Sequence, residues 1–332
     1  MEQRLLSVED LNVTFHTPRG KAQAINHLNF YVNQGETLGI VGESGSGKSV
    51  TSLSIMGLLP KKTSQVEGRA LFEGEDLFAM SEKQRQKYRG NHMSMIFQEP
   101  MTSLNPLHTC GKQIMEPIRL HQDLSKKEAR EKAMEFLRLT GIPAPEQRFN
   151  EYPHQMSGGM RQRIMIAMSL VCSPKLLIAD EPTTALDVTI QAQILELMKD
   201  LKSRLNMGIM MITHDLGVVS EMCDRVIVMY AGRVVEQGTI REIMDQPMHP
   251  YTKGLIAAIP QIGTVKEKLK SIDGMVPSLY DMPVGCSFHP RCPYAMERCK
   301  AKQPGLYQTE NSREVRCFKY SDAEEGGEPV HG

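Results

Sequence analysis

The chain of 332 residues has no tryptophan, only 5% aromatic residues and no excess of either charge, with 39 Lys and Arg against 39 Asp and Glu. The missing tryptophan excludes nothing by itself. The zero net charge argues against a basic nucleic-acid face. No apolar run is long enough to span a bilayer, so any transport role needs separate membrane subunits. The first ten residues (M-E-Q-R-L-L-S-V-E-D) lack the apolar core of a signal peptide. That predicts a cytoplasmic chain in which disulfides are not expected. What is present is ordinary for a globular protein, 40% hydrophobic and 23% charged residues. The length allows one large domain, or one plus an appendage.

The most informative stretch is Gly42-Glu43-Ser44-Gly45-Ser46-Gly47-Lys48-Ser49, which fits the phosphate-loop pattern G-x-x-x-x-G-K-[ST]. The apolar run Thr37–Val41 reads as a buried strand before it, and Val50–Leu59 as a helix after it, stopped by Pro60. Glycines let successive N–H groups turn inward around phosphates, and the helix N-terminus adds its positive dipole end. Lys48 would reach the β- and γ-phosphates, and the Ser49 hydroxyl would ligate Mg²⁺. A bare flexible glycine loop would match only by chance.

Leu176–Ala179 is an apolar strand that runs into Asp180 and Glu181. Adjacent acids are usually a solvated turn. After a buried strand, in a chain with a phosphate loop, they read as a site: Asp180 would hold Mg²⁺ through water, and Glu181 would orient the attacking water. Ser157-Gly158-Gly159 opens the helix Ser157–Val171. It is either a helix cap or a second anion-binding end.

Strand segments alternate with helices: Leu5–Phe15, Ile25–Val32, Gly68–Phe72 and Met93–Phe97 precede a helical stretch over Thr109–Thr140, with apolar spacing at Ala129, Ala133, Phe136 and Leu137. Gly208–Thr213 and Arg225–Tyr230 follow, and Arg233–Gln237 pairs back across the Ala231-Gly232 turn. The alternation predicts a mainly parallel α/β sheet with an antiparallel β subdomain and a helical insert over about 99–171. The boundaries are set at 1–238 for the core, 239–320 for a cysteine-rich C-terminal extension, and 321–332 for a frayed tail.

Together these residues resemble the ATP-binding-cassette (ABC) ATPases, over roughly Leu5–Gly238. Gly42–Ser49 is similar to Walker A, and Leu176–Asp180 to Walker B, followed by the catalytic Glu181. Met156–Met160 resembles the signature L-S-G-G-Q, with methionine where glutamine is expected. Gln98 falls at the Q-loop, Ala185-Leu186-Asp187 at the D-loop, and His214 at the switch histidine. Phe15 is placed to stack on adenine, though a strand phenylalanine is as often core. The resemblance implies a phosphate-loop fold and ATP with Mg²⁺. It also implies two head-to-tail subunits, with Ser157, Gly158 and Gly159 serving the partner's nucleotide and Asp187 helping to couple the two sites.

Beyond the core, His249-Pro250-Tyr251-Thr252 and His289-Pro290-Arg291-Cys292-Pro293 resemble the ATPase subunits of bacterial dipeptide and oligopeptide importers, as does Glu99–Pro106 after the Q-loop. Nickel and metallophore importers are close relatives, and a soluble regulatory or repair ATPase is the alternative of another class. The importer resemblance implies two integral membrane permease subunits, a second ATPase that is a homologue or another copy, and a periplasmic or lipid-anchored peptide-binding protein. The chain would then sit on the cytoplasmic face of the inner membrane. Cys286, Cys292, Cys299 and Cys317 are separated by five, six and seventeen residues. Four thiolates could hold zinc or an iron–sulfur cluster, and the spacing does not decide, since neither paired C-x-x-C nor a ferredoxin run is present. The resemblance implies a 4Fe-4S cluster. His249 and His289 read as structural.

Overall fold

The computed structural model describes residues 4–98, 103–184, 186–259, 272–309 and 313–323. The chain divides into two compact units. Leu6–Tyr31, Thr37–Phe78 and Ile212–Gly332 form the unit that carries the phosphate loop, here the loop unit. Met1–Leu5, Val32–Glu36 and Ala79–Met211 form the other, here the helical unit.

The loop unit contains a four-stranded sheet in the order β2-β1-β4-β5, with β1 at Arg4–Thr17, β2 at Gly20–Asn33, β4 at Ser64–Phe72 and β5 at Glu75–Asp76. β1 and β4 pair antiparallel from Leu6↔Phe72 to Phe15↔Ser64, with a bulge between Glu9 and Asn12. The bulge explains why alternation in β1 is loose. Leu6 and Val8 face the core before it, and Leu11 and Val13 after it, so the extra residue switches the phase. A second sheet runs β11-β12-β10-β9-β3 within this unit. Its members are β3 at Thr37–Val41, β9 at Arg225–Tyr230, β10 at Arg233–Thr239, β11 at Tyr307–Gln308 and β12 at Glu314–Val315. β3 is parallel to β9, and β9 turns back into antiparallel β10. β3 is buried along its whole length, as expected of a parallel strand covered on both faces.

The helical unit carries β6 (Met93–Ile96), β7 (Leu176–Asp180) and β8 (Gly208–Ile212) in the order β8-β7-β6, each buried throughout. β6 and β7 are parallel, Met93↔Leu176 to Ile96↔Ala179. The polar stretch expected to be helical over Thr109–Thr140 is two helices, Cys110–His121 and Lys126–Leu139. The break is written locally: Ser125 and Glu128 form a reciprocal capping box that starts the second helix. Ala129, Ala133, Phe136 and Leu137 are its buried face, together with Met134. The helix Val188–Leu205 buries Ile194, Leu195, Met198 and Leu201, a stripe at helical spacing.

The expected metal centre is corrected. Among the described residues no group of three or more His, Cys, Asp or Glu side chains is arranged to hold a metal ion. Neither the iron–sulfur cluster nor zinc at Cys286, Cys292, Cys299 and Cys317 is therefore supported. All four are free thiols with other local roles. The Cys299 sulfur accepts from the Met296 N–H at 3.5 Å as part of a helix start, and its carbonyl accepts from the Cys286 N–H at 2.8 Å. Burial pushes the thiols of Cys286 and Cys292 up, and that of Cys317 to about 11, so they hold their protons. Order in this segment comes instead from hydrogen bonds and ring packing. The frayed tail lies outside the described residues from 324 onward.

Candidate functional site

In the loop unit, β3 ends at Val41 and six residues separate it from the helix Lys48–Ile55. Two glycines between them are sterically required. A Cβ on Gly42 would stand 2.3 Å from the Met229 carbonyl oxygen, and one on Gly47 2.5 Å from Ile25 Cδ1, with both residues at positive φ. Ser44 and Gly45 form the exposed crest. No side chain caps the helix at Gly47. Lys48 is 7% exposed, and its Nζ donates to the carbonyls of Gly42 at 2.7 Å and Glu43 at 3.0 Å. A tight glycine loop, a side-chain-uncapped helix N-terminus and a buried ammonium are the donor set that phosphates require, so these residues fit a nucleotide. Phe15 lies half-buried near the end of β1, opposite Ser64. His214 follows β8 and is exposed, and the next residue, Asp215, caps the helix Leu216–Met222.

In the helical unit, Asp180 ends β7 at 5% exposure. Glu181 then adopts φ 47°, a left-handed conformation costing a non-glycine residue about 1–2 kcal/mol. This turn leaves the strand direction and aims the carboxylate at two donors. Gln98 Nε2 reaches its Oε2 at 2.8 Å and Thr184 Oγ1 reaches the same oxygen at 2.9 Å. The turn is held from behind by Gln162, 2% exposed, whose amide donates to the Pro182 carbonyl. Two sequence-predicted residues, Gln98 and Glu181, are thus brought into contact.

Ser157 is the N-cap of the helix Gly158–Leu170, its hydroxyl accepting from the Met160 N–H at 3.3 Å. Gly158 has open space around it, whereas a Cβ on Gly159 would meet Ile190 at 3.1 Å. Asp187 caps Val188–Leu205 through Ile190 N–H at 2.9 Å and is exposed. Of the D-loop, Ala185 lies outside the described residues, as do 99–102 of the segment after Gln98.

The ABC transporter family model matches residues 25–184, and the oligopeptide/dipeptide transporter C-terminal region matches 235–299. The oligopeptide transport ATP-binding protein AppD of Bacillus subtilis is 53% identical over 325 residues, 98% of each chain. The chain belongs to the ABC peptide-transporter ATP-binding proteins. The dipeptide transport ATP-binding protein DppD of Escherichia coli is 51% identical over 94% of this chain and 96% of its own. Among solved structures, an ATP-binding cassette captured as a post-hydrolysis dimer with ADP and phosphate matches with TM-score 0.63 at 28% identity, over 71% of this chain and 99% of that one.

Sequence reasoning missed four residues of this ABC ATPase that the geometry brings to the site. Thr184 and Gln162 surround Glu181. Tyr251 and Arg291 contact the phosphate loop at Glu43. The first pair carried no pattern signal. The second pair stood inside the two importer-like motifs, where spacing says nothing of what a side chain touches.

Proposed function

We propose that this ABC ATPase binds MgATP at its phosphate loop and hydrolyses it to power import of dipeptides or oligopeptides. One observation carries the cargo: the similarity to peptide-transport ATP-binding proteins runs through the C-terminal region as well as the cassette. Lys48 and the loop amides bind the β- and γ-phosphates, and Phe15 stacks on adenine. Ser49, Gln98 and Asp180 would hold Mg²⁺, which when bound neutralises phosphate charge. Glu181 orients the attacking water, supported by its contacts with Gln98 and Thr184. His214 donates to the phosphate end. Ser157, Gly158 and Gly159 serve the nucleotide of a second ATPase arranged head to tail, and Asp187 helps to couple the two sites. The related cassette solved as a dimer supports a pairing of two ATPases.

Cassette residues 1–238 with their helical insert hold the chemistry, and 239–320 form the extension. No described helix is long and apolar enough to cross a membrane, so two permease subunits supply the path and hold the chain at the inner face of the membrane. A peptide-binding protein delivers the cargo. Labelled-peptide uptake tests this reading. Cells lacking the chain should lose uptake, and the wild type but not Lys48→Ala should restore it. Uptake that is indifferent to the chain would reject it.

A further inference from the structure

Glu43, the second residue of the phosphate loop, is gripped at three points. Its N–H donates to the Tyr251 hydroxyl oxygen at 2.8 Å. Both of its carboxylate oxygens accept from the Arg291 guanidinium, at 2.7 and 3.0 Å. Its carbonyl accepts from Lys48 Nζ at 3.0 Å. Two of the three grips come from beyond residue 238, outside the nucleotide-binding core.

Both gripping residues are themselves fixed. Tyr251 is fully buried, edge-on to Tyr230 at 4.8 Å and packed on Phe288 at 5.5 Å. The helix that carries it starts at His249, whose Nδ1 accepts from the Tyr251 N–H at 3.1 Å. The Arg291 side chain is 5% exposed and donates further to the carbonyls of Asp273 at 2.9 Å and Ile272 at 3.3 Å. A bidentate, part-buried arginine–carboxylate pair is among the stronger and more directional polar contacts. An extension that needed only anchoring could attach anywhere on the unit. Here both contacts converge on Glu43, whose carbonyl, with that of Gly42, also holds Lys48.

We infer that Tyr251 and Arg291 are positioning residues for ATP binding: they hold Glu43, and through it Lys48 and the loop amides, in the phosphate-accepting shape. The inference rests on reading Gly42–Ser49 as the ATP site. The extension thereby becomes a structural input to nucleotide affinity.

The test is MgATP binding and steady-state hydrolysis by the full chain, with Lys48→Ala beside it. Tyr251→Phe keeps the ring packing and removes one hydrogen-bond acceptor, so Kd and KM for ATP should rise about fivefold. Arg291→Lys keeps the charge but not the fork, and should raise them about tenfold. Both effects should appear in KM rather than kcat. Arg291→Lys should add no further loss in a Glu43→Gln background. Wild-type affinity in folded Tyr251→Phe would overturn the inference, as would an Arg291→Lys penalty that persists in that background. If Lys48→Ala also keeps full affinity, the ATP-site reading itself fails. If only Lys48→Ala loses affinity, the failure belongs to the clamp alone.

Discussion

At the scale of single residues, the Glu181 turn is where the proposed chemistry is tested most sharply. Glu181 sits at φ 47°, with Gln98 and Thr184 both donating to its Oε2. Glu181→Gln keeps the shape and loses the charge. It should bind MgATP with near-normal affinity while kcat falls by about two to four orders of magnitude, the usual cost of losing a group that activates water. Single-turnover hydrolysis beside equilibrium binding checks this, and near-normal turnover would remove Glu181 from that role. The placement of Glu181 directly after a buried strand was legible, because Leu176–Ala179 is an apolar run. Its left-handed backbone and its Thr184 and Gln162 supports were not, since they depend on contacts that no local pattern records. The four cysteines show the reverse error. Their spacing allowed a metal centre, but spacing fixes neither direction nor distance, and Cys299 is engaged at a helix start.

At the scale of elements, the mainly apolar runs Thr37–Val41, Leu176–Ala179 and Gly208–Ile212 were legible as strands because both faces are buried. Two-residue strands such as β11 and β12 were not, because two residues carry no periodicity. The division between Cys110–His121 and Lys126–Leu139 was written in the Ser125 capping box but obscured by continuous helical polarity. The helix Gly158–Leu170 has two distinct uses for Ser157. Its hydroxyl caps the helix, which is worth about 1 kcal/mol, and the proposal also gives it a partner's phosphate. Ser157→Arg should cost that modest stability and leave binding at the mutant's own phosphate loop intact. In mixed complexes the opposing subunit should lose hydrolysis. A lesion confined to the mutant's own site would contradict the head-to-tail arrangement.

At the scale of the whole molecule, residues beyond 238 are tied to β10 of the loop unit by buried polar contacts. Glu236, fully buried, accepts from the N–H groups of Met248 at 2.8 Å and His249 at 2.9 Å and pairs with Arg313. His249, 2% exposed, has its pKa lowered to about 3 by burial, with nearby Arg316 adding to the effect. Below pH 6.5 the unfolded chain takes up a proton that the folded chain refuses until about pH 3. Stability from this group is therefore complete above pH 6.5 and is lost as pH falls, by about 2 kcal/mol at pH 5. His249→Asn retains a helix-capping side chain without the titration. Denaturant unfolding at pH 7 and pH 5 should show a smaller acid loss for the variant. Equal losses would place the acid sensitivity elsewhere.

The central claim is that this chain turns ATP hydrolysis into peptide import. The most direct measurement is ATP hydrolysis in proteoliposomes that combine the chain with the proposed permeases, partner ATPase and peptide-binding protein, with and without peptide. The account predicts hydrolysis that rises when peptide-loaded binding protein is added and collapses with Glu181→Gln. Hydrolysis that ignores peptide, or that survives Glu181→Gln unchanged, would contradict it.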